Sequence, residues 1–225
     1  MNRLSSTAII LVALACAALV GAGAGAGSGA GEVKFAEGPA LLEARSGACA
    51  ALLGDGRVLV TGGEGPYGVL ATAEILGAGP ETAPPMAFAR AGHVCVALAD
   101  GTVLVAGGRA AGGGETNAAE IFDPAADAWR IIAPMTAARY GATASLLADG
   151  RVLIAGGEAY GLALATLEIY DPATGRFEPV PGAMSTPRKE HAAAVLADGR
   201  VLIAGGSNGQ AALDTVEAFD PATGE

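Results

Sequence analysis

The chain has 225 residues, enough for one domain with a proper core, and carries 23 acidic against 13 basic side chains for a formal net charge of −10. That balance argues against a nucleic-acid partner, because neutralising phosphates needs clustered Lys and Arg and no basic run occurs. The composition, 52% hydrophobic with 35 glycines, points to many tight turns joining strands of small packed side chains.

Residues 1–20 read as an export leader, with Arg3 ahead of an almost wholly apolar stretch at 7–20. Three fates of that leader stay open. Ala22-Gly23-Ala24 suits ordinary signal cleavage, whereas Ala13-Leu14-Ala15-Cys16 resembles a bacterial lipobox and would make Cys16 a lipidation site. An uncleaved anchor is the third, since the apolar stretch is near the lower limit for spanning a bilayer. The Gly/Ala/Ser-rich residues 21–32 then form a flexible tether. The expected location is therefore outside the cytoplasm: periplasmic, held on the outer membrane as a lipoprotein, or extracellular.

The remainder, 33–225, repeats. Asp-Gly recurs at Asp55, Asp100, Asp149 and Asp198, and each pair precedes a β-branched and Leu run closed by a glycine doublet starting at Gly62, Gly107, Gly156 or Gly205. Arg45, Arg90, Arg139 and Arg188 each stand ten residues before the aspartate, at spacings of 45, 49 and 49 residues. A glutamate follows at Glu74, Glu120, Glu168 and Glu217, and three of the four units continue into Asp-Pro. The repeats run over about 45–89, 90–138, 139–187 and 188–225.

Each unit reads as four strands. Strand a is the apolar stretch after the arginine, and Asp-Gly is a hairpin turn because its residues tolerate positive φ. Strand b is the run such as Val152-Leu153-Ile154-Ala155, ended by glycines where a side chain would obstruct close backbone approach. Strand c is the Ala-Glu-Ile segment, and strand d opens on an aromatic, Trp129 or Phe177. The first unit has no such aromatic, so its outer strand is expected to pack poorly.

The Asp-Gly turn, the glycine doublet and the paired aromatics Phe122/Trp129 and Tyr170/Phe177 resemble kelch repeats of bacterial exported type over the whole of 33–225. The resemblance implies an all-β propeller of four-stranded antiparallel blades. The spacing of Phe35 to Arg45 equals that of Trp129 to Arg139, so 33–35 is expected to supply strand d of the fourth blade and close a ring of four. The alternative is a fragment of a six- or seven-bladed propeller. A monomer is expected.

In such a meander the b–c and d–a loops share one end, and the variable segments fall there. Tyr67, Arg109, Asn117, Tyr160, Asn208, Gln210 and Asp214 are the ligand-face candidates. Arg45, Arg90, Arg139 and Arg188 open strand a at the same end. Their strict recurrence favours structural pairing with the four glutamates over a guanidinium ring for acidic ligands. His93 and His191 occupy equivalent places, and no third ligand converges on them, so no metal, cofactor or catalytic residue is expected. Cys49 and Cys95 are offset by one residue in successive strands, which sets them on opposite faces. The favoured reading is two small buried apolar side chains, the other being a disulfide or reactive thiol. The expected function is a non-catalytic binding scaffold for protein or glycan. The alternatives are a carbohydrate-acting enzyme of sugar-oxidase or epimerase type, or a fragment without function of its own.

Overall fold

A computed structural model of the protein describes residues 38–224. The leader with Cys16, the tether and the 33–35 strand expected to close the ring lie outside the described residues. Those that are described form only strands, turns and loops.

The first blade contains β1 (Cys49–Leu52) and β2 (Val58–Thr61), the short hairpin β3 (Glu64–Gly65) and β4 (Gly68–Val69), then β5 (Ala73–Leu76) and β6 (Pro80–Ala83). The second has β7 (Arg90–Ala91), β8 (Val94–Ala97), β9 (Val103–Ala106), β10 (Arg109–Ala110), β11 (Ala119–Asp123) and β12 (Ala128–Ile132). The third has β13 (Thr143–Leu146), β14 (Val152–Ala155), β15 (Glu158–Ala159), β16 (Leu162–Ala163), β17 (Leu167–Asp171) and β18 (Arg176–Pro179). The fourth has β19 (Ala192–Val195), β20 (Val201–Ala204) and β21 (Val216–Phe219). The sheets run β1-β2-β5-β6, β8-β9-β11-β12, β13-β14-β17-β18 and β19-β20-β21, antiparallel throughout. These are four blades in propeller order, with β1, β8, β13 and β19 side by side at the inner edge.

The core lies between blades rather than inside one. Leu59, Ile75, Met86, Val103 and Phe122 fill the first interface. Leu104, Ile121, Met135, Ile154 and Tyr170 fill the second, and Leu153, Leu167, Met184, Ile203 and Phe219 the third. Strand b is buried on both faces because neighbouring blades cover both. The glycine doublets permit this approach: at Gly107, with φ of 71°, a Cβ would collide with the Arg139 carbonyl of the next blade.

Across strands c and d, Phe122 meets Trp129 at 5.0 Å and Tyr170 meets Phe177 at 4.9 Å between ring centroids. The first blade has no such pair, yet β6 still registers against β5 over its full length, with Leu76 opposite Pro80 and with Ala83 buried. In the fourth blade Phe219 lines a cavity of about 250 Å³ with Val180, Pro181 and Met184.

The reading of Cys49 and Cys95 as separate buried thiols is corrected: they form a disulfide between β1 and β8, with Cα atoms 5.9 Å apart. Opposite faces are what such a bond requires, because blades stack face to face. The face of β1 turned toward the second blade meets the face of β8 turned back toward the first. Removing the bond by Cys95→Ala frees a loop spanning 46 residues in the unfolded chain. A loss of about 2–4 kcal/mol is expected in urea denaturation.

Candidate interaction face

Beneath the b–c and d–a loops lies a layer of buried ion pairs, one per blade. Arg90 Nη2 donates to Glu120 Oε1 at 2.9 Å and Arg139 Nε to Glu168 Oε1 at 2.9 Å. Arg45 and Arg188 reach Glu74 and Glu217 in the same way, at 2.5 and 2.7 Å. Each Nη1 also donates to two carbonyls, as from Arg90 to Gly107 and Ala118 at 2.9 and 2.8 Å. Each carboxylate accepts two further backbone N–H groups, as Glu120 does from Ala87 and Phe88 at 2.7 and 3.2 Å. Burial opposes the charge on Glu74. The Leu42 amide and Arg45 outweigh it, so its pKa sits below the usual carboxylate value. The repeated Arg–Glu pairing is thus present in all four blades, and its guanidinium groups are sealed under the loops.

The histidines are inter-blade links. His93 Nε2 lies 2.8 Å from the Thr61 hydroxyl of the preceding blade, and His191 Nε2 lies 2.9 Å from that of Thr143. Burial, and then the Arg90 charge, bring the His93 pKa down to about 3. Burial and then Arg188 bring His191 to about 4, so both rings are neutral near pH 7.

The loops above carry the sequence candidates, which divide into presented and committed side chains. Tyr67 crowns the β3–β4 hairpin with its side chain fully exposed (101%), and Tyr160 crowns β15–β16 at 91% with φ of 52°. Arg109 opens β10, donates to Glu64 Oε2 at 2.8 Å and lies 5.6 Å over the Tyr140 ring. Asn117 is committed inward, its Nδ2 donating to the Met135 carbonyl at 2.9 Å. The Asn208 side chain shapes its own turn by accepting from the Gln210 and Ala211 amides. Gln210 and Asp214 are exposed on the fourth blade.

Sequence reasoning passed over the groups that tie these loops together: Glu64, Glu115, Glu158, Tyr140 and Lys189. Lys189 pairs with Glu158 of the previous blade, which raises the lysine pKa, and Glu115 accepts the Tyr160 amide at 3.2 Å. A signal existed. Glu64, Arg109 and Glu158 each directly follow a glycine doublet, while Tyr140 and Lys189 directly follow a repeat arginine. Among the described residues no group of three or more His, Cys, Asp or Glu side chains is arranged to hold a metal ion.

The kelch motif family model matches residues 89–136 and 188–225, the second and fourth repeats. The first and third repeats share their strand frame and their buried ion pairs. No curated protein matches the chain.

Proposed function

The chain is a kelch-repeat β-propeller, a fold that serves in general as a protein-interaction scaffold, and on that premise we propose an exported, non-catalytic module that takes protein or glycan on its loop face. The observation that carries this reading is the pair Tyr67 and Tyr160. Both rings stand free in solvent on equivalent hairpins of the first and third blades. Tyrosine offers a large amphipathic contact area with few rotatable bonds, which is why it dominates binding hot spots. The hairpins are braced from below by the Arg109–Glu64 and Lys189–Glu158 pairs, so little ordering is left for the moment of binding.

Export draws support from the Cys49–Cys95 disulfide, since such bonds persist in oxidising compartments. The non-catalytic reading draws support from both histidines being spent on inter-blade hydrogen bonds beneath the loops.

The test probes glycan and peptide arrays with the wild type and with Tyr67→Ala and Tyr160→Ala. Each substitution is expected to weaken capture by about tenfold or more while leaving the melting temperature unchanged. Equal capture by both variants would remove the loop face as the binding surface.

A further inference from the structure

The two exposed tyrosines are tied to one another through the blade between them. Residues 109–117 of the second blade form a loop closed on itself. Ala110 N donates to Gly114 O, Gly113 N to Ala110 O and Thr116 N to Gly108 O, each at 2.9 Å. Two side chains leave this loop in opposite directions. Arg109 donates to Glu64 at 2.8 Å, at the root of the Tyr67 hairpin. Glu115 accepts the backbone N–H of Tyr160 itself at 3.2 Å. A β-bridge joins Arg109 to Glu115 within the loop, so the tie runs unbroken from the first blade to the third.

Tyr160 is held against its own backbone preference. It and Gly161 take φ of 52° and 75° between the paired residues Ala159 and Leu162, the two positive values of a type I′ turn, where Asn-Gly is the least strained choice. A bulky side chain there carries strain, and a ring 91% exposed recovers none of it by burial. The fold gains nothing from an aromatic at this place, whereas a ligand does. Between the two rings the loop is bare. Ala111, Gly112, Gly113 and Gly114 are exposed, and a Cβ added at Gly112 or Gly114 would meet nothing within 4 Å. Neither of those two glycines has a positive φ, so the turn itself does not demand them.

We infer that one neutral glycan chain lies across the second-blade loop with one sugar ring stacked on Tyr67 and another on Tyr160, an assignment that rests on the loop face being the binding surface. Neither tyrosine stands in a cleft, since the side chains are 101% and 91% exposed. Each offers a flat platform, where a peptide anchor would need a pocket to bury its side chain. The C–H groups on one face of a pyranose meet the negative face of an aromatic ring, while the sugar hydroxyls stay at the rim in water. Arg109 and Lys189, on the same face, are already paired with Glu64 and Glu158, which disfavours an acidic sugar. A chain rather than a single sugar is required, because the second-blade loop separates the two rings.

The test is capture by the full chain, residues 1–37 included, on arrays of neutral and acidic oligosaccharides of graded length together with peptides. Neutral chains are expected to be preferred, with capture rising sharply at the length that reaches the second ring. Tyr160→Asn is expected to raise the melting temperature and to lower capture by about tenfold or more. A tyrosine with only a structural role would not give those opposite signs. Gly112→Gln with Gly114→Gln, placed in the bare span, is expected to lower capture of the long chains by a similar factor at an unchanged melting temperature. Long-chain capture by the glutamine variant equal to wild type, with Tyr67→Ala and Tyr160→Ala still weakened, would overturn the bridging chain and leave the loop face standing. Capture of peptides or acidic glycans without neutral ones, or of nothing, would overturn it too. Undiminished capture by both tyrosine variants would remove the loop face, and this assignment with it.

Discussion

Glu120→Ala is expected to lower the unfolding free energy by about 3–5 kcal/mol, read as a shift in the urea midpoint. Both partners of the Arg90–Glu120 pair have no exposed side-chain surface. The variant therefore leaves a guanidinium in the interior with only carbonyls to face, and it orphans the Ala87 and Phe88 amides as well. Against a typical total of about 5–15 kcal/mol, such a loss puts folding itself at risk. Replacing both partners together, as Arg90→Met with Glu120→Leu, is expected to recover much of it, because no buried charge then remains. A single loss as large in the turn pair Arg200–Asp198 is not expected, since both of those side chains are about half exposed.

Acid is expected to unfold the protein earlier than its carboxylates alone would allow. His93 and His191 have folded pKa values of about 3 and about 4 against an ordinary value of 6.5. The unfolded chain binds the proton more readily than the folded one. The stabilisation from keeping the rings neutral is therefore complete above pH 6.5 and declines as pH falls toward the folded values. Each ring contributes a slope of about 1.4 kcal/mol per pH unit in that window. Glu74 and Glu217 are held below their ordinary value of 4.5, so their own contribution fades only at lower pH. Melting temperatures between pH 6.5 and 4.5 should thus fall steeply in the wild type. The slope should flatten in His93→Leu/His191→Leu, even though that variant begins from a lower stability.

The strand frame was legible because Asp-Gly and Gly-Gly are backbone requirements, and a requirement repeated four times stands out from any single sequence. Strand b at 152–155, expected from the β-branched run, is β14 to the residue. The Arg–Glu pairing was legible for the same reason, since side chains that recur in every unit serve the unit. The disulfide was the less favoured reading because face alternation was applied within one strand frame, while the bond is made between two stacked frames. Asn117 and Asn208 looked like ligand groups because they are polar and variable, but short polar side chains in loops satisfy nearby backbone first. The cross-blade pair of Arg109 with Glu64 joins residues 45 apart. Only a known blade spacing brings them together.

The buried ion pairs have a consequence for how the gene can change. Arg90 and Glu120 both fall inside the repeat 90–138, and the side-chain hydrogen-bond partners of each lie within 33 residues of it, less than one repeat length of 45 or 49. A segment copied or lost in register by unequal recombination therefore carries both halves of its buried ion pair with it. Blade number can rise or fall by one without an intermediate that strands a charge in the interior. A fold whose interior charges pair between distant parts of the chain would have to acquire both partners at once.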